Sequence, residues 1–186
     1  MKRNIISAIR LTVATIILFA VVYTICVWGI AQFAPNNGRG EIIEYSGNTY
    51  YSNIGQSFTS DKYFQSRLSA VNYNAAGSGG SNKAPSNSEY LETVKARIDT
   101  LMLHNPSIQK NEIPVDLITA SGSGLDPHIS IQAALIQVKR IAEIRGLSES
   151  DIQKLIDEQT EKPLLGLFGT EKINVLKLNI ALDSFR

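Results

Sequence analysis

The chain has 186 residues, which is enough for one domain of ordinary size whose core needs no disulfide staples. Its formal net charge is +1, so charge gives no reason to expect nucleic acid as a partner. The single cysteine, Cys26, lies inside an apolar run, and this excludes disulfides and thiolate zinc sites from the rest of the chain.

The first element is that apolar run. No charged residue occurs from Leu11 to Ala31, and about 20 helical residues at 1.5 Å each cover a hydrocarbon core of about 30 Å. Tyr23 and Trp28 lie toward its far end, where aromatic rings favour the interface. The run predicts one transmembrane helix. It is too long for the apolar part of a cleaved signal peptide, although Gly29-Ile30-Ala31 is a loose cleavage site.

Charges on either side of the run predict its orientation. Three basic residues, Lys2, Arg3 and Arg10, precede it, whereas one base and two acids, Arg39, Glu41 and Glu44, follow it. Because basic residues concentrate on the cytoplasmic side, we expect a single-pass protein of the inner or plasma membrane with its N-terminus in the cytoplasm. The expected parts are a cytoplasmic N-terminus, a transmembrane helix, a linker and a soluble extracytoplasmic domain, at residues 1–10, 11–33, 34–44 and 45–186.

The first half of the soluble part predicts strands, a polar tract and a helix. Residues 45–58 mix Gly, Asn and Ser with aromatic residues, as is typical of short strands and turns. Residues 72–88 are small and polar, which fits either a flexible linker or an ordered loop whose backbone packs close to another segment. Ser86-x-x-Glu89 then matches a capping box, and Asn105-Pro106 ends the helix.

The next stretch predicts a strand, a loop and a helix. Residues 112–119 are apolar enough for a short strand, with Pro114 near its start. Asp126 suits a helix N-cap and Pro127 a first helical position. Gly146 is a typical residue just past a helix end.

The C-terminal part predicts one more helix and one more strand. Ser148-x-x-Asp151 opens the helix, whose apolar face carries Ile152, Leu155 and Ile156. Residues 172–179 then predict a strand. The expected fold class is α+β: a single N-terminal transmembrane helix followed by one mixed α/β soluble domain.

Little in these patterns indicates catalysis or a metal site. The chain has two histidines without metal-ligand spacing, and it lacks Walker A, dinucleotide-binding and Asp-Lys-Thr-Gly phosphorylation motifs. We therefore expect no catalytic residue and no metal. A membrane-tethered serine hydrolase using Ser123, His128 and Asp116 is a remote alternative.

The strongest candidate site is the loop that follows residues 112–119. Backbone amides at a helix start attract anions, but the carboxylate of Asp126 would itself occupy them, so a capped turn is the plainer interpretation. The loop residues considered are Ser121, Gly122, Ser123, Gly124, Asp126 and His128.

A longer pattern contains the same loop. Residues 114–130, PVDLITASGSGLDPHIS, closely resemble the signature of the C subunit of the bacterial Kdp potassium-transporting P-type ATPase. Leu68, where that family often has proline, is one departure, and residues 99–112 and 160–171, which show no pattern of the family, are another. Other segments resemble the family in the same order, so the resemblance covers nearly the whole chain: residues 54–58, 63–64 with 67 and 69–70, 73–76, 78–82, 85–87 and 174–179.

The resemblance implies an accessory, non-pumping subunit of a high-affinity, ATP-driven potassium import complex. Implied partners are a channel-like potassium-translocating subunit, an ATP-hydrolysing P-type subunit and a small single-span subunit. The family's C subunit is described as stabilising the complex and as a catalytic chaperone that raises the ATP affinity of the hydrolysing subunit. ATP is the one ligand the resemblance implies, through a segment that is here Ser78, Gly79, Gly80, Ser81 and Asn82.

The predicted orientation conflicts with that nucleotide role. ATP is on the cytoplasmic side, whereas the charge rule puts residues 45–186 outside. Two hypotheses follow: a purely structural extracytoplasmic cap that binds no nucleotide, and a nucleotide-binding regulator. In either case the loops at residues 78–82 and 121–128 are the expected nucleotide or partner-docking sites.

Overall fold

A continuous apolar helix forms most of the N-terminal part of the chain. The computed structural model describes residues 2–185, and for Lys2 only the backbone. The helix runs as α1 (Lys2–Ile16), a π-helical segment (Ile17–Tyr23) and α2 (Thr24–Ala31). Residues 3–31 include an 18-residue stretch with a mean hydropathy of 2.5, and the helix is long and apolar enough to cross a membrane. Every large apolar side chain from Ile5 to Ile30 is exposed.

The π-helical segment lies in the middle of this helix. Its backbone bonds reach one residue further than those of an α-helix. Two threonine hydroxyls also bond to the helix: Thr15 donates to the Leu11 carbonyl at 3.0 Å, and Thr24 donates to the Phe19 carbonyl at 3.3 Å. Hydroxyls bonded in this way are compatible with an apolar surrounding.

Contacts divide the chain into two compact units, one ending at Glu44 and one starting at Tyr45. After α2 the chain makes a tight turn at Pro35–Gly38, with Asn36 and Asn37 in left-handed conformation. Strand β1 (Ile42–Tyr45) and strand β2 (Asn48–Tyr51) follow, joined by a turn.

The second unit combines a small antiparallel sheet with helices. The sheet has the order β3-β5-β4, and His128 of β3 and Thr160 of β4 lie opposite Asn174 and Ile173 of β5. The expected α+β class is confirmed. The elements are α3 (Ser88–His104), 3₁₀ turns (Lys110–Glu112 and Val115–Leu117), β3 (His128–Ile129), α4 (Ile131–Leu135), α5 (Val138–Arg145), α6 (Glu149–Gln159), β4 (Thr160–Glu161), β5 (Lys172–Asn174) and α7 (Val175–Ser184).

The core lies where β3 and β5 meet α4–α7. Its fully buried side chains come from every one of these elements, and Phe64 joins them from an irregular segment. Helix α3 contributes only one buried residue, Leu101. The core therefore belongs mainly to residues 125–182, and the earlier part of the unit is held against it.

The prediction of a strand over residues 112–119 is wrong. This stretch forms 3₁₀ turns on both sides of Pro114, which has no N–H for a strand ladder. The Asp116 carboxylate accepts a hydrogen bond from the Ser130 backbone N–H at 2.7 Å. This bond ties the segment to the start of α4.

The predicted helix start at Asp126 and Pro127 is also wrong. Asp126 accepts a bond from the backbone N–H of His128 at 3.0 Å, which closes a local turn before β3. The N-cap is Ser130, whose hydroxyl accepts from the Ala133 N–H at 3.1 Å. The helix expected to follow is divided into α4 and α5.

Asparagines begin two helices, at positions that were not predicted to be N-caps. Asn87, and not Ser86, is the N-cap of α3. Asn174 accepts a bond from the Lys177 N–H at 3.1 Å, so the strand predicted over 172–179 ends after three residues and α7 begins. Asparagine is among the best N-cap residues, and both side chains satisfy a backbone donor that would otherwise be unpaired.

Two predicted helix boundaries between α5 and α6 are confirmed. Gly146 follows α5 with φ 66°, in the left-handed conformation that favours glycine. Ser148 caps α6 by accepting from the Asp151 N–H at 3.1 Å. The predicted apolar face of α6 is buried in the core.

Candidate functional site

Much of the candidate site lies on a long irregular segment. Residues 52–87, all of which the structure describes, contain no helix or strand. Asn179 of α7 fixes the middle of this segment: its side chain accepts from the Phe64 N–H and donates to the Phe64 carbonyl, both at 2.9 Å. The side-chain amide thus replaces a neighbouring strand, and the Phe64 ring is completely buried.

A buried arginine fixes the same segment from α5. Arg140 donates from Nε to Asn105 Oδ1 at 2.9 Å and from Nη2 to Gln137 Oε1 at 2.8 Å. Its guanidinium also donates to the backbone carbonyls of Asp61 and Tyr63. Burial lowers the pKa of Arg140, but these acceptors compensate the desolvated charge.

The two predicted loops, residues 78–82 and 121–124, meet each other; they are called the loop pair below. The Gly79 N–H donates to the Ser123 carbonyl at 2.9 Å, and the Ser78 hydroxyl donates to the same carbonyl at 3.0 Å. Of the two interpretations of the polar tract, the structure therefore favours the ordered loop over the flexible linker.

Glycine is required at the centre of the loop pair. Gly124 has φ 67°, and a Cβ there would lie 2.6 Å from Val71 Cγ2 and 2.8 Å from the Gly79 carbonyl oxygen. At Gly80 a Cβ would lie 3.1 Å from the Gly122 carbonyl oxygen, whereas at Gly122 it would meet nothing within 4 Å. The two backbones are thus in direct contact at Gly79 and Gly124.

The loop at 121–124 is also held by two other parts of the irregular segment. The Ser121 N–H donates to the Leu68 carbonyl at 3.2 Å, and the Gly55 N–H donates to the Leu125 carbonyl at 2.7 Å. Outward-facing parts of the loop pair stay exposed, among them Ser81, Asn82 and Gly122. The loop pair is therefore a rigid surface whose tips face solvent.

The remaining predicted site residues, Asp126 and His128, belong to a chain of charges. Arg67 Nη1 lies 2.9 Å from Asp126 Oδ2, and His128 Nδ1 lies 3.2 Å from Asp126 Oδ1. Hydrogen bonds from His128, and then the Arg67 guanidinium, lower the pKa of Asp126 to about 2. His128 Nε2 lies 3.5 Å from Glu161 of β4, and Lys172 and Lys177 also approach that carboxylate.

A serine-hydrolase triad does not form. Ser123 Oγ accepts a bond from the Leu125 N–H, and both oxygens of Asp116 accept bonds from Ser130. Both nitrogens of His128 face other carboxylates. The hydrolase interpretation is wrong, because the base has neither the nucleophile nor the orienting acid it needs.

Within residues 2–185, no group of three or more His, Cys, Asp or Glu side chains could hold a metal ion.

Sequence reasoning missed the buried polar residues that hold the site in place. Asn105, Gln137, Arg140 and Asn179 are all buried. Arg140 and Asn179 lie among apolar residues of α5 and α7, and Gln137 is the N-cap of α5. A polar residue in such a position is the one sequence signal that could have indicated a buried polar contact. Polar residues in such positions need internal partners, but their spacing does not say which partners.

The matches with known proteins cover nearly the whole chain. Residues 5–184 match the family described as "K+-transporting ATPase, c chain". A relative from Flavobacterium psychrophilum is 53% identical over 185 residues, which are 99% of this chain and 100% of that protein. A relative from Bacillus cereus is 43% identical over 186 residues, covering 98% and 96% of the two chains. Both relatives are named potassium-transporting ATPase KdpC subunit.

These matches define the class of protein as an accessory, non-catalytic subunit of an ion-transporting ATPase. The chain belongs to the KdpC family.

Proposed function

We propose that this chain is an accessory, non-pumping subunit that stabilises and assembles a high-affinity, ATP-driven potassium import complex. Its partners are a channel-like potassium-translocating subunit, an ATP-hydrolysing P-type subunit and a small single-span subunit. The full-length similarity to KdpC subunits supports this role. The domain uses its folded surface, and not a catalytic site, to brace its neighbours.

The N-terminal helix is the membrane anchor in this proposal. Residues 3–31 are apolar over a length that spans a bilayer, and their large apolar side chains are all exposed. An apolar surface of this size is stable only in lipid or against other apolar helices. The basic residues before the apolar run and the acidic residues after it support a cytoplasmic N-terminus and a domain at 45–186 outside.

The observation that carries the structural role is the contact within the loop pair. Ser78 and Gly79, which the family resemblance connects with nucleotide, direct their donors at the Ser123 carbonyl. A phosphate-binding loop needs backbone N–H groups aimed at the ligand. Donors that already bond within the protein favour a rigid bracing surface over a phosphate cradle.

Protease treatment of intact spheroplasts tests the orientation. With a tag at each end of the chain, protease added outside should remove the C-terminal tag and the domain while the N-terminal tag stays protected. Because cytoplasmic ATP cannot reach an external domain, this result would exclude the nucleotide-binding regulator and support the structural cap. If the domain is digested only after the membrane is permeabilised, the nucleotide-binding regulator becomes the better proposal.

Assembly tests the anchor separately. Deletion of residues 5–31 should remove the chain from the purified complex, because the deleted helix provides the apolar contact with the membrane subunits. A truncated chain that still co-purifies in full amount would show that the domain alone is sufficient, and the anchor would then be only a tether.

A further inference from the structure

A cavity lies between α3 and the irregular segment at residues 52–87; it is called the α3 cavity below. Its volume is about 540 Å³, which falls within the range of small-molecule sites. Part of its lining is apolar, since Leu101 and Leu117 are buried and Phe58 and Leu68 are half-buried. The α3 cavity is therefore large enough and apolar enough to receive the hydrocarbon part of a small ligand.

One arginine brings a charge to the α3 cavity. Arg97 on α3 is half-buried and lines the cavity, and its Nη1 donates to the Ile118 carbonyl at 3.1 Å. A guanidinium carries five N–H donors, and within the described residues Arg97 makes no other hydrogen bond or ion pair. The bond to Ile118 orients the guanidinium, and its other donors stay available to a ligand.

The charges around the α3 cavity favour an anion. Among the described residues that line it there is no Asp or Glu. Asp61 contacts the lining residue His104, with 2.8 Å between Asp61 Oδ1 and His104 Nδ1, and the same oxygen lies 3.8 Å from Arg140 Nη1. The charge of this carboxylate is met by His104 and Arg140, so the positive charge of Arg97 is left for an anion to match.

Most hydroxyl groups of the lining already donate or accept within the protein. The hydroxyls of Ser66, Thr93 and Thr100 donate to backbone carbonyls at 2.6, 2.9 and 2.9 Å. The Tyr73 hydroxyl donates to the Arg67 carbonyl at 2.8 Å. A sugar or another polyol would find few free partners here, whereas a ligand with one charged group and an apolar body needs only one polar contact.

We propose that the α3 cavity binds a small monocarboxylate of the fatty-acid type, with a short apolar chain. The carboxylate accepts two hydrogen bonds from the Arg97 guanidinium, and the chain lies against Phe58, Leu68, Leu101 and Leu117. Arg97 is the only Lys or Arg among the described lining residues, and one positive charge matches a carboxylate better than a doubly charged phosphate. The site belongs to the domain alone and does not depend on assembly with other subunits.

Ligand binding to the full-length chain tests the recognition of charge. The chain is placed in nanodiscs of deuterated zwitterionic lipid, and saturation-transfer NMR follows its titration with hexanoate, hexanol or hexylammonium against empty nanodiscs. Hexanoate should bind at least about tenfold more tightly than hexanol, because the alcohol lacks the charge-assisted bonds to Arg97. Equal affinities, tighter binding of hexylammonium, or no signal above that of empty nanodiscs would each overturn the proposal.

Two matched variants test the role of the arginine. Arg97→Gln should weaken hexanoate binding at least about tenfold and leave hexanol binding unchanged. Lys95→Gln is the control, because Lys95 is exposed on the same helix but does not line the cavity, and it should keep wild-type affinity for both ligands. Wild-type hexanoate binding by the Arg97→Gln chain, or an equal loss in both variants, would overturn the proposal.

A cavity-filling variant locates the site without changing its charge. Ala96 lines the α3 cavity and is exposed, so Ala96→Phe should place a ring in the cavity and abolish binding of hexanoate and hexanol alike. Thermal unfolding midpoints equal to that of the wild type are expected, because the new ring does not enter the core. If the folded Ala96→Phe chain keeps wild-type affinity for hexanoate, the ligand binds elsewhere and the proposal is overturned.

Discussion

Two segments of the domain contain little helix or strand, but they differ in where their polar groups find hydrogen-bond partners and in whether their apolar side chains are buried. The irregular segment, residues 52–87, is pinned by buried polar side chains of α5 and α7, and its ring at Phe64 is inside the core. The loop between β4 and β5, residues 163–169, here called the apolar tip, bonds its backbone within itself and leaves its large apolar side chains exposed. The polar groups of the first segment are satisfied by the domain's own helices, whereas the large apolar side chains of the second stay exposed.

This difference shows that absence of helix and strand says little about order. What matters is where the polar and apolar groups of a segment find partners. In the irregular segment those partners are distant in sequence but within the same domain. Mutations in its supports should therefore reduce stability, while mutations of the exposed side chains of the apolar tip should leave stability nearly unchanged.

The largest effect is expected for Arg140→Ala. The substitution leaves the Asn105 side chain and the carbonyls of Asp61 and Tyr63 without their buried donor, at a cost of about 3–5 kcal/mol in the free energy of unfolding. Urea unfolding of the full-length chain in detergent measures it. Lys139→Ala, at the exposed neighbouring position, should change stability by less than about 0.5 kcal/mol. Equal stabilities for the two variants would refute the pinning of the irregular segment.

A smaller loss is expected for Gly124→Ala in the loop pair. A methyl group there meets Val71 and the Gly79 carbonyl and must adopt φ 67°, which costs about 1–3 kcal/mol. Gly122→Ala is the matched control, since its methyl group meets nothing within 4 Å. If both variants unfold at the same urea concentration, the close approach of the two loops is not present in solution.

Acid should remove a further part of the stability through Asp126. Its pKa is lowered to about 2 in the folded state, from about 3.9 in an unfolded chain, so its contribution is complete above about pH 4 and is lost as pH falls toward 2. Allowing for partial exposure, we expect about 1–2 kcal/mol. Asp126→Asn should flatten this pH dependence, whereas Asp157→Asn, at an exposed position on α6, should keep it.

The smallest effect on stability is expected in the apolar tip. Leu165→Ser/Leu167→Ser should change the free energy of unfolding of the isolated chain by less than about 0.5 kcal/mol, because both side chains are 80% exposed. A loss of 2 kcal/mol or more would mean that the tip supports the domain itself, and the contrast between the two segments would disappear.

The sequence predicts those parts of the fold that depend on neighbours along the chain. The helix boundaries at Gly146 and Ser148 are predicted correctly, because a left-handed C-cap or a side-chain N-cap depends only on a few adjacent residues. Asp126 fits the same local rule and still fails, since Arg67 and His128 engage its carboxylate before a helix can begin.

The candidate site is predictable only in part, because composition is visible locally in the sequence whereas contacts between distant segments are not. Glycine, serine and asparagine composition indicates that residues 72–88 could pack closely against another segment, but it does not identify Ser123, which is 45 positions from Ser78. Arg140 reaches Asp61 and Tyr63 over 79 and 77 positions. Pairings at such separations depend on the folded topology, and one sequence does not encode them in any local pattern.

The π-helical segment of the N-terminal helix has a consequence for its neighbours. A turn with one extra residue advances the side chains after it by about 100° relative to a regular helix. A stripe of side chains that runs straight along α1 therefore does not continue straight along α2. A neighbouring helix that packed along the whole span would therefore meet one face of α1 and a differently oriented face of α2.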